Sequence, residues 1–138
     1  MLQFAEYSHT VTDHRMNRPA TILVIDEDQT SLFLTKELLQ FDRHIVHAAS
    51  SVDDAMTLFS AHSDHIQVVI CDASALRTKG VHIVCEIREK KPGITVILTA
   101  SALDLRSLGS AMEQCTVEIL LKPYSGKMLM EFVRAAKV

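Results

Sequence analysis

From residue 20 onward, short continuous apolar runs alternate with longer amphipathic stretches along the chain. Four runs stand out, at residues 21–25 (TILVI), 67–71 (QVVIC), 95–98 (TVIL) and 118–121 (EILL), with a weaker fifth at 45–48 (IVHA). Unbroken runs rich in Val and Ile, bounded by polar residues, predict strands covered on both faces, as in a parallel sheet. The intervening stretches carry apolar residues at helical spacing. The first, 30–41, puts Leu32, Phe33, Leu38, Leu39 and Phe41 near one face, and 52–60 does the same with Val52, Ala55, Met56 and Phe59. Stretch 81–90 offers Val81, Val84, Cys85 and Ile87, and 102–112 offers Leu105, Leu108 and Met112. The last, 127–136, offers Met128, Leu129, Phe132 and Val133, leaving Met130, Lys127, Arg134 and Lys137 outside. Five strands alternating with five helices predict a doubly wound, three-layer α/β sandwich on a five-stranded parallel sheet.

Composition narrows the class. The chain has 138 residues, 48% hydrophobic and 22% charged, which suits one compact domain with a core that needs neither disulfide nor structural metal. Three cysteines without a C-x-x-C pair read as small buried hydrophobes of a reducing compartment, hence a cytoplasmic protein. The net charge of -3, with both signs interspersed, offers no basic stripe for nucleic acid. No apolar run approaches the roughly 20 residues of a membrane span. Residues 1–18 lack periodicity and read as an N-terminal arm or linker ahead of a domain at 19–138. Met16 leaves its origin open between a late start, a natural extension and the tail of an upstream domain.

Chemistry is expected just past the carboxyl ends of the strands, where an open parallel sheet forms its crevice. Those positions hold Asp26, Glu27 and Asp28, then Asp72, Thr99 and Lys122. Clustered carboxylates repel unless a cation joins them, and a small set of hard oxygens suits Mg²⁺ with retained waters. Lys122 and Thr99 add a positive charge and a hydroxyl, the groups that hold a phosphoryl oxyanion. Asp28, directly before Gln29 and Thr30, also reads as a helix cap. Cys71 alternates to the opposite face from Asp72 and reads as core, and His44 with His47 makes only a weak zinc pattern.

The chain from Pro19 to Val138 resembles the receiver domain of two-component response regulators. TILVIDED resembles the family's acidic first-strand motif, VVICDASALRTKG its phosphoacceptor strand and loop, VILTA its switch threonine and LLKPY its Lys-Pro motif, in family order and spacing. Gly80 matches the family's loop glycine. The resemblance implies a flavodoxin-like sheet in order 2-1-3-4-5 and a signalling domain, not an enzyme apart from promoting its own aspartyl phosphorylation and dephosphorylation. It implies Asp72 as the nucleophile toward a phosphohistidine. It also implies Mg²⁺ on Asp26, Glu27, Asp72 and the backbone carbonyl of Ser74, with Lys122 pairing the phosphoryl oxygens and Thr99 reporting their presence. Implied partners are a sensor histidine kinase or phosphotransfer protein, a downstream effector protein or output domain, and a second copy of the chain as a homodimer.

Three positions depart from the family pattern. Glu27 replaces the more frequent second Asp, Leu76 the usual loop Pro, and Ile119 the usual Tyr or Phe switch residue. With Ile119 there, the signal is expected to pass by repacking of residues 100–121. Two alternatives stay open: a receiver-like interaction module that no longer accepts phosphate, and a haloacid-dehalogenase-type phosphatase with Asp26 as nucleophile and Asp28 as general acid. Both a stand-alone receiver and one cut from a longer regulator or hybrid kinase fit the length.

Overall fold

The computed structural model describes residues 18–76, 82–108 and 117–136. The chain runs β1 (Thr21–Ile25), α1 (Gln29–Phe41), β2 (Ile45–Ala49), α2 (Val52–His62), β3 (Val68–Asp72), a 3-10 turn (Ala73–Ala75), α3 (His82–Lys90), β4 (Thr95–Ala100), α4 (Ala102–Leu108), β5 (Glu118–Leu121) and α5 (Gly126–Ala136). The strands form one five-stranded sheet in order β2-β1-β3-β4-β5, with every pairing parallel. Gly80 and nearly all of the expected arm lie outside the described residues.

Strand alternation divides the core in two. Leu23 and Ile25 of β1, Val69 and Cys71 of β3, and Val96, Leu98 and Ala100 of β4 pack with Val52, Ala55 and Phe59 of α2 and Ile83, Val84 and Ile87 of α3. Ile22, Val24, Val68, Ile70, Ile97 and Leu120 face the other way, onto Leu32 and Leu39 of α1 and Leu129 and Val133 of α5. The expected three-layer sandwich is therefore present.

Two helices turn differently from the expectation. On α1 the inner face is Leu32, Thr35 and Leu39, spaced by three and four residues, while Phe33, Leu34, Leu38 and Phe41 are exposed. The helix is apolar on more than one side, so residue counts alone point to the wrong stripe. On α5, Leu129 and Val133 are fully buried, Met130 packs against them and Met128 is exposed.

The helix starts are held by short polar side chains. Asp28 accepts from the Thr30 and Ser31 amides, and Ser51 accepts from Asp54 N–H at 3.1 Å. Ser101 and Asp104 cap each other reciprocally, the amide of each donating to the other's side chain at 3.1 and 3.0 Å. Cys71 is a free, buried thiol, as expected, whereas Cys85 on α3 is disulfide-bonded, which corrects its reading as a plain hydrophobe. The expectation failed because Cys115, the remaining cysteine, left no pattern in sequence that distinguishes a bridge from a buried thiol. Among the described residues no helix is long and apolar enough to cross a membrane.

Candidate functional site

The carboxyl ends of β1, β3, β4 and β5 converge on one carboxylate. Asp72 is the last residue of β3, not the first beyond it, and its register partner is Thr99, which lies inside β4. That pairing brings the Thr99 hydroxyl to Asp72, where it donates to Oδ1 at 2.9 Å. Lys122 follows β5; its N–H donates to the Ala100 carbonyl at 2.9 Å, and its ammonium lies 2.5 Å from Asp72 Oδ1. The 3-10 turn after β3 brings Ser74 back over the second carboxylate oxygen, with N–H and Oγ donating to Oδ2 at 3.1 and 2.5 Å. Sequence reading assigned Ser74 a carbonyl alone; the hydroxyl contact is additional.

Beside this, β1 ends in a shallow acidic loop. Asp26 is buried, its N–H donating to the Ala49 carbonyl at 3.0 Å and its Oδ1 accepting from the Asp28 N–H at 2.9 Å. Glu27 is exposed at the mouth. Asp28 turns away to cap α1, as expected for a cap and unlike a general acid aimed into the crevice. The polar partners of a phosphoryl site, Lys122 and Thr99, both bond to Asp72.

Electrostatics separate the two buried aspartates. Burial pushes the Asp72 carboxyl up, but the hydrogen bonds from Lys122, Ser74 and Thr99 outweigh it and hold the group below its ordinary value, so it is ionised at neutral pH. Asp26 is raised, chiefly by burial and also by the charge of Asp72, against the lowering bond from Asp28. Lys122 is raised, because its bond to Asp72 and the nearby carboxylates outweigh its own burial. Cys71 is pushed up to about 12 by burial and then by the charges of Asp72, Asp26 and Glu27, so it stays a neutral thiol.

Two aspartates, an exposed glutamate and one ammonium leave an excess of negative charge in a half-buried crevice. That donor set is hard oxygen throughout and fits Mg²⁺. Among the described residues no three His, Cys, Asp or Glu side chains are grouped to hold a metal ion by themselves. A backbone carbonyl and waters would complete the coordination, which Mg²⁺ favours over an all-protein cage.

Two further residues border the site. Tyr124, two residues after Lys122, is half-buried and hydrogen-bonded to Thr35 of α1. Its phenol is raised, mainly by burial, with Thr35 partly opposing the shift. A polar residue on the inner stripe of α1, between Leu32 and Leu39, was the sequence signal for Thr35.

The family model for the response regulator receiver domain matches residues 22–134. The chain belongs to that family. It is a signalling domain of two-component systems, not a classical enzyme. The chain is 33% identical to a response regulator receiver domain protein from Clostridium thermocellum, whose crystal structure superposes with a TM-score of 0.76 over 86% of this chain and 94% of that one. It is also 28% identical to the transcriptional regulatory protein CpxR of Klebsiella pneumoniae subsp. pneumoniae, over 83% of this chain and 47% of that protein. It is 26% identical to the hydrogenase transcriptional regulatory protein HoxA of Cupriavidus necator, over 87% of this chain and 24% of that protein. The receiver thus spans about half or less of the length of these curated relatives. The strand order 2-1-3-4-5 is the family's flavodoxin-like order, as expected.

Proposed function

We propose that this receiver takes a phosphoryl group from a sensor histidine kinase or phosphotransfer protein onto Asp72. The observation that carries this reading is the convergence of Lys122, Thr99 and Ser74 on the one ionised carboxylate at the end of β3. An oxygen of Asp72 attacks phosphorus, the P–N bond to the donor histidine breaks and its electron pair returns to the imidazole. Lys122 offers positive charge to the phosphoryl oxygens, and Thr99 exchanges its bond to Asp72 for one to the phosphoryl group. Asp26, Glu27, Asp72 and the Ser74 carbonyl would hold Mg²⁺, which when bound neutralises charge on the transferring group. Everything else in the step is positioning by residues already in contact.

The product carries nearly two negative charges where one stood, and this biases the neighbouring loops. Ile119 is 40% exposed on β5, so the response passes through repacking of residues 100–121 without an aromatic flip. The effector is a downstream protein or an output domain, and a homodimer is one form the response takes. The exposed Phe33 and Leu34 of α1, beside the acidic loop, suit the apolar surface of a helical donor protein. A cytoplasmic setting belongs to the same proposal, since the kinase draws its phosphoryl group from ATP; there the Cys85 disulfide is subject to reduction.

The test is incubation with Mg²⁺ and acetyl phosphate, with the acyl phosphate mapped by mass spectrometry. Label on Asp72, lost in Asp72→Asn, is the expected result. Label on Asp26 would instead support a phosphatase, and no label despite bound Mg²⁺ an interaction module.

A further inference from the structure

The ammonium at the site is delivered from the edge of the sheet. β5 pairs with β4 alone, and its Ile119 and Leu121 are 40% and 50% exposed. Lys122 must reach over β4 to touch Asp72, and the printed backbone bond at this point is its N–H to Ala100. Pro123 follows and has no N–H to offer. The next residue, Tyr124, packs against the α1/α5 half of the core and hydrogen-bonds Thr35, which is buried on α1. Two residues later the chain is still close to α1: a Cβ on Gly126 would stand 3.3 Å from Leu38 Cδ2. Helix α1 is itself fixed to the acidic loop, because its cap is Asp28 and Asp28 N–H is bonded to Asp26.

We infer that the Tyr124–Thr35 hydrogen bond is a strut between the two sides of the site, making both residues positioning residues that hold Lys122 over Asp72 during phosphoryl loading. The inference rests on the proposed phosphoacceptor reading. Lysine has four rotatable carbons and a strongly hydrated head, so a mobile loop would release it to solvent. A loop pinned to α1 removes that freedom before the donor arrives, which is where orientation contributes to rate. Phe and Val fill nearly the same space as Tyr and Thr, and replacing both partners of a buried hydrogen bond by apolar groups of the same shape costs little stability. Position can therefore be separated from folding.

The experiment uses the full chain as Tyr124→Phe, Thr35→Val, the double variant and Thr35→Ser. At saturating Mg²⁺ each single variant is expected to lower the maximal loading rate of Asp72 from acetyl phosphate by about tenfold. The double variant is expected to be no slower than either single, and Thr35→Ser to recover the wild-type rate. The reactivity of the Lys122 amine toward a water-soluble acylating reagent, mapped by mass spectrometry without any phosphodonor, is expected to rise in the same variants. Loading rates and Lys122 reactivity both within about twofold of wild type in the two single variants would overturn the strut, and so would independent, multiplying effects. If wild type takes no label while Lys122 reactivity still rises in the variants, the strut stands and the phosphoacceptor reading falls.

Discussion

Lys122 and Asp72 sit on strands that are not neighbours, yet the ammonium lies 2.5 Å from the carboxylate, with β4 passing beneath. This contact holds the Asp72 carboxyl below its ordinary value against the upward push of burial, together with Ser74 and Thr99. In Lys122→Ala the Asp72 carboxyl is expected to titrate higher, read by carbon NMR across pH 2 to 7. A lowered carboxyl contributes stability above its unfolded value and loses it as pH falls through the folded one. Acid unfolding of Lys122→Ala should therefore begin at higher pH than in wild type. Loading of Asp72 should slow on the order of 100-fold, as when a charge-stabilising donor is removed. An unchanged Asp72 titration would show that the other hydrogen bonds suffice.

Asp28 is adjacent to two proposed metal ligands but spends its carboxylate on the first turn of α1. Asp28→Ala should cost about 1 kcal/mol in urea denaturation, the usual loss for a cap. Asp28→Ser should restore most of it. Mg²⁺ affinity should fall far more in Asp26→Asn than in Asp28→Ala; the reverse ranking would make Asp28 a ligand.

The inner and outer stripes of α1 should respond oppositely. Leu39 is fully buried, so Leu39→Ala is expected to lose about 2–5 kcal/mol in denaturant unfolding. Phe33 is 60% exposed, and Phe33→Ser should stay within about 0.5 kcal/mol of wild type. The same variant should slow loading from a phosphorylated histidine donor protein while leaving loading from acetyl phosphate unchanged. Equal slowing with both donors would mean that the substitution disturbs the site itself.

His47 on the edge strand β2 stacks on His62 at the end of α2, with ring centroids 4.1 Å apart and planes 17° from parallel. Burial, and then the charge of His62, push the His47 imidazole down. The folded state thus takes up this proton at lower pH than the unfolded chain. Stability should be complete above the unfolded value and decline as pH falls below about 6.5, the ordinary imidazole value. In His62→Gln the His47 resonance should titrate closer to that value, with a smaller acid loss of thermal stability. A His47 titration unmoved by His62→Gln would assign the whole shift to burial.

The chain pattern was enough to place all five strands, because Val- and Ile-rich runs covered on both faces leave few alternatives to a central parallel sheet. Asp26, Asp72, Thr99 and Lys122 were visible because the crevice of such a sheet always opens beyond its strand ends. Strand limits were less visible: Thr99 and Asp72 belong to their strands, and polar side chains inside a ladder resemble strand ends in a one-dimensional reading. The buried stripe of α1 was hidden because Phe33 and Phe41 are as apolar as Leu39, and only the packed partner distinguishes them. Tyr124 and Thr35 are 89 positions apart by their numbers, so no local pattern links them. The bond of Cys85 was equally silent for the same reason of distance.

β3 is buried at every residue and has two strands on either side. Its tip cannot shift without dragging both halves of the core, so the sheet acts as an anvil while the surrounding loops give way. A phosphoryl group on Asp72 would be struck against a fixed backing, with the displacement thrown outward to Leu103, Ile119 and Leu121. Those exposed side chains can be exchanged without disturbing the reacting carboxylate. Such separation lets one chemical core address unrelated listeners.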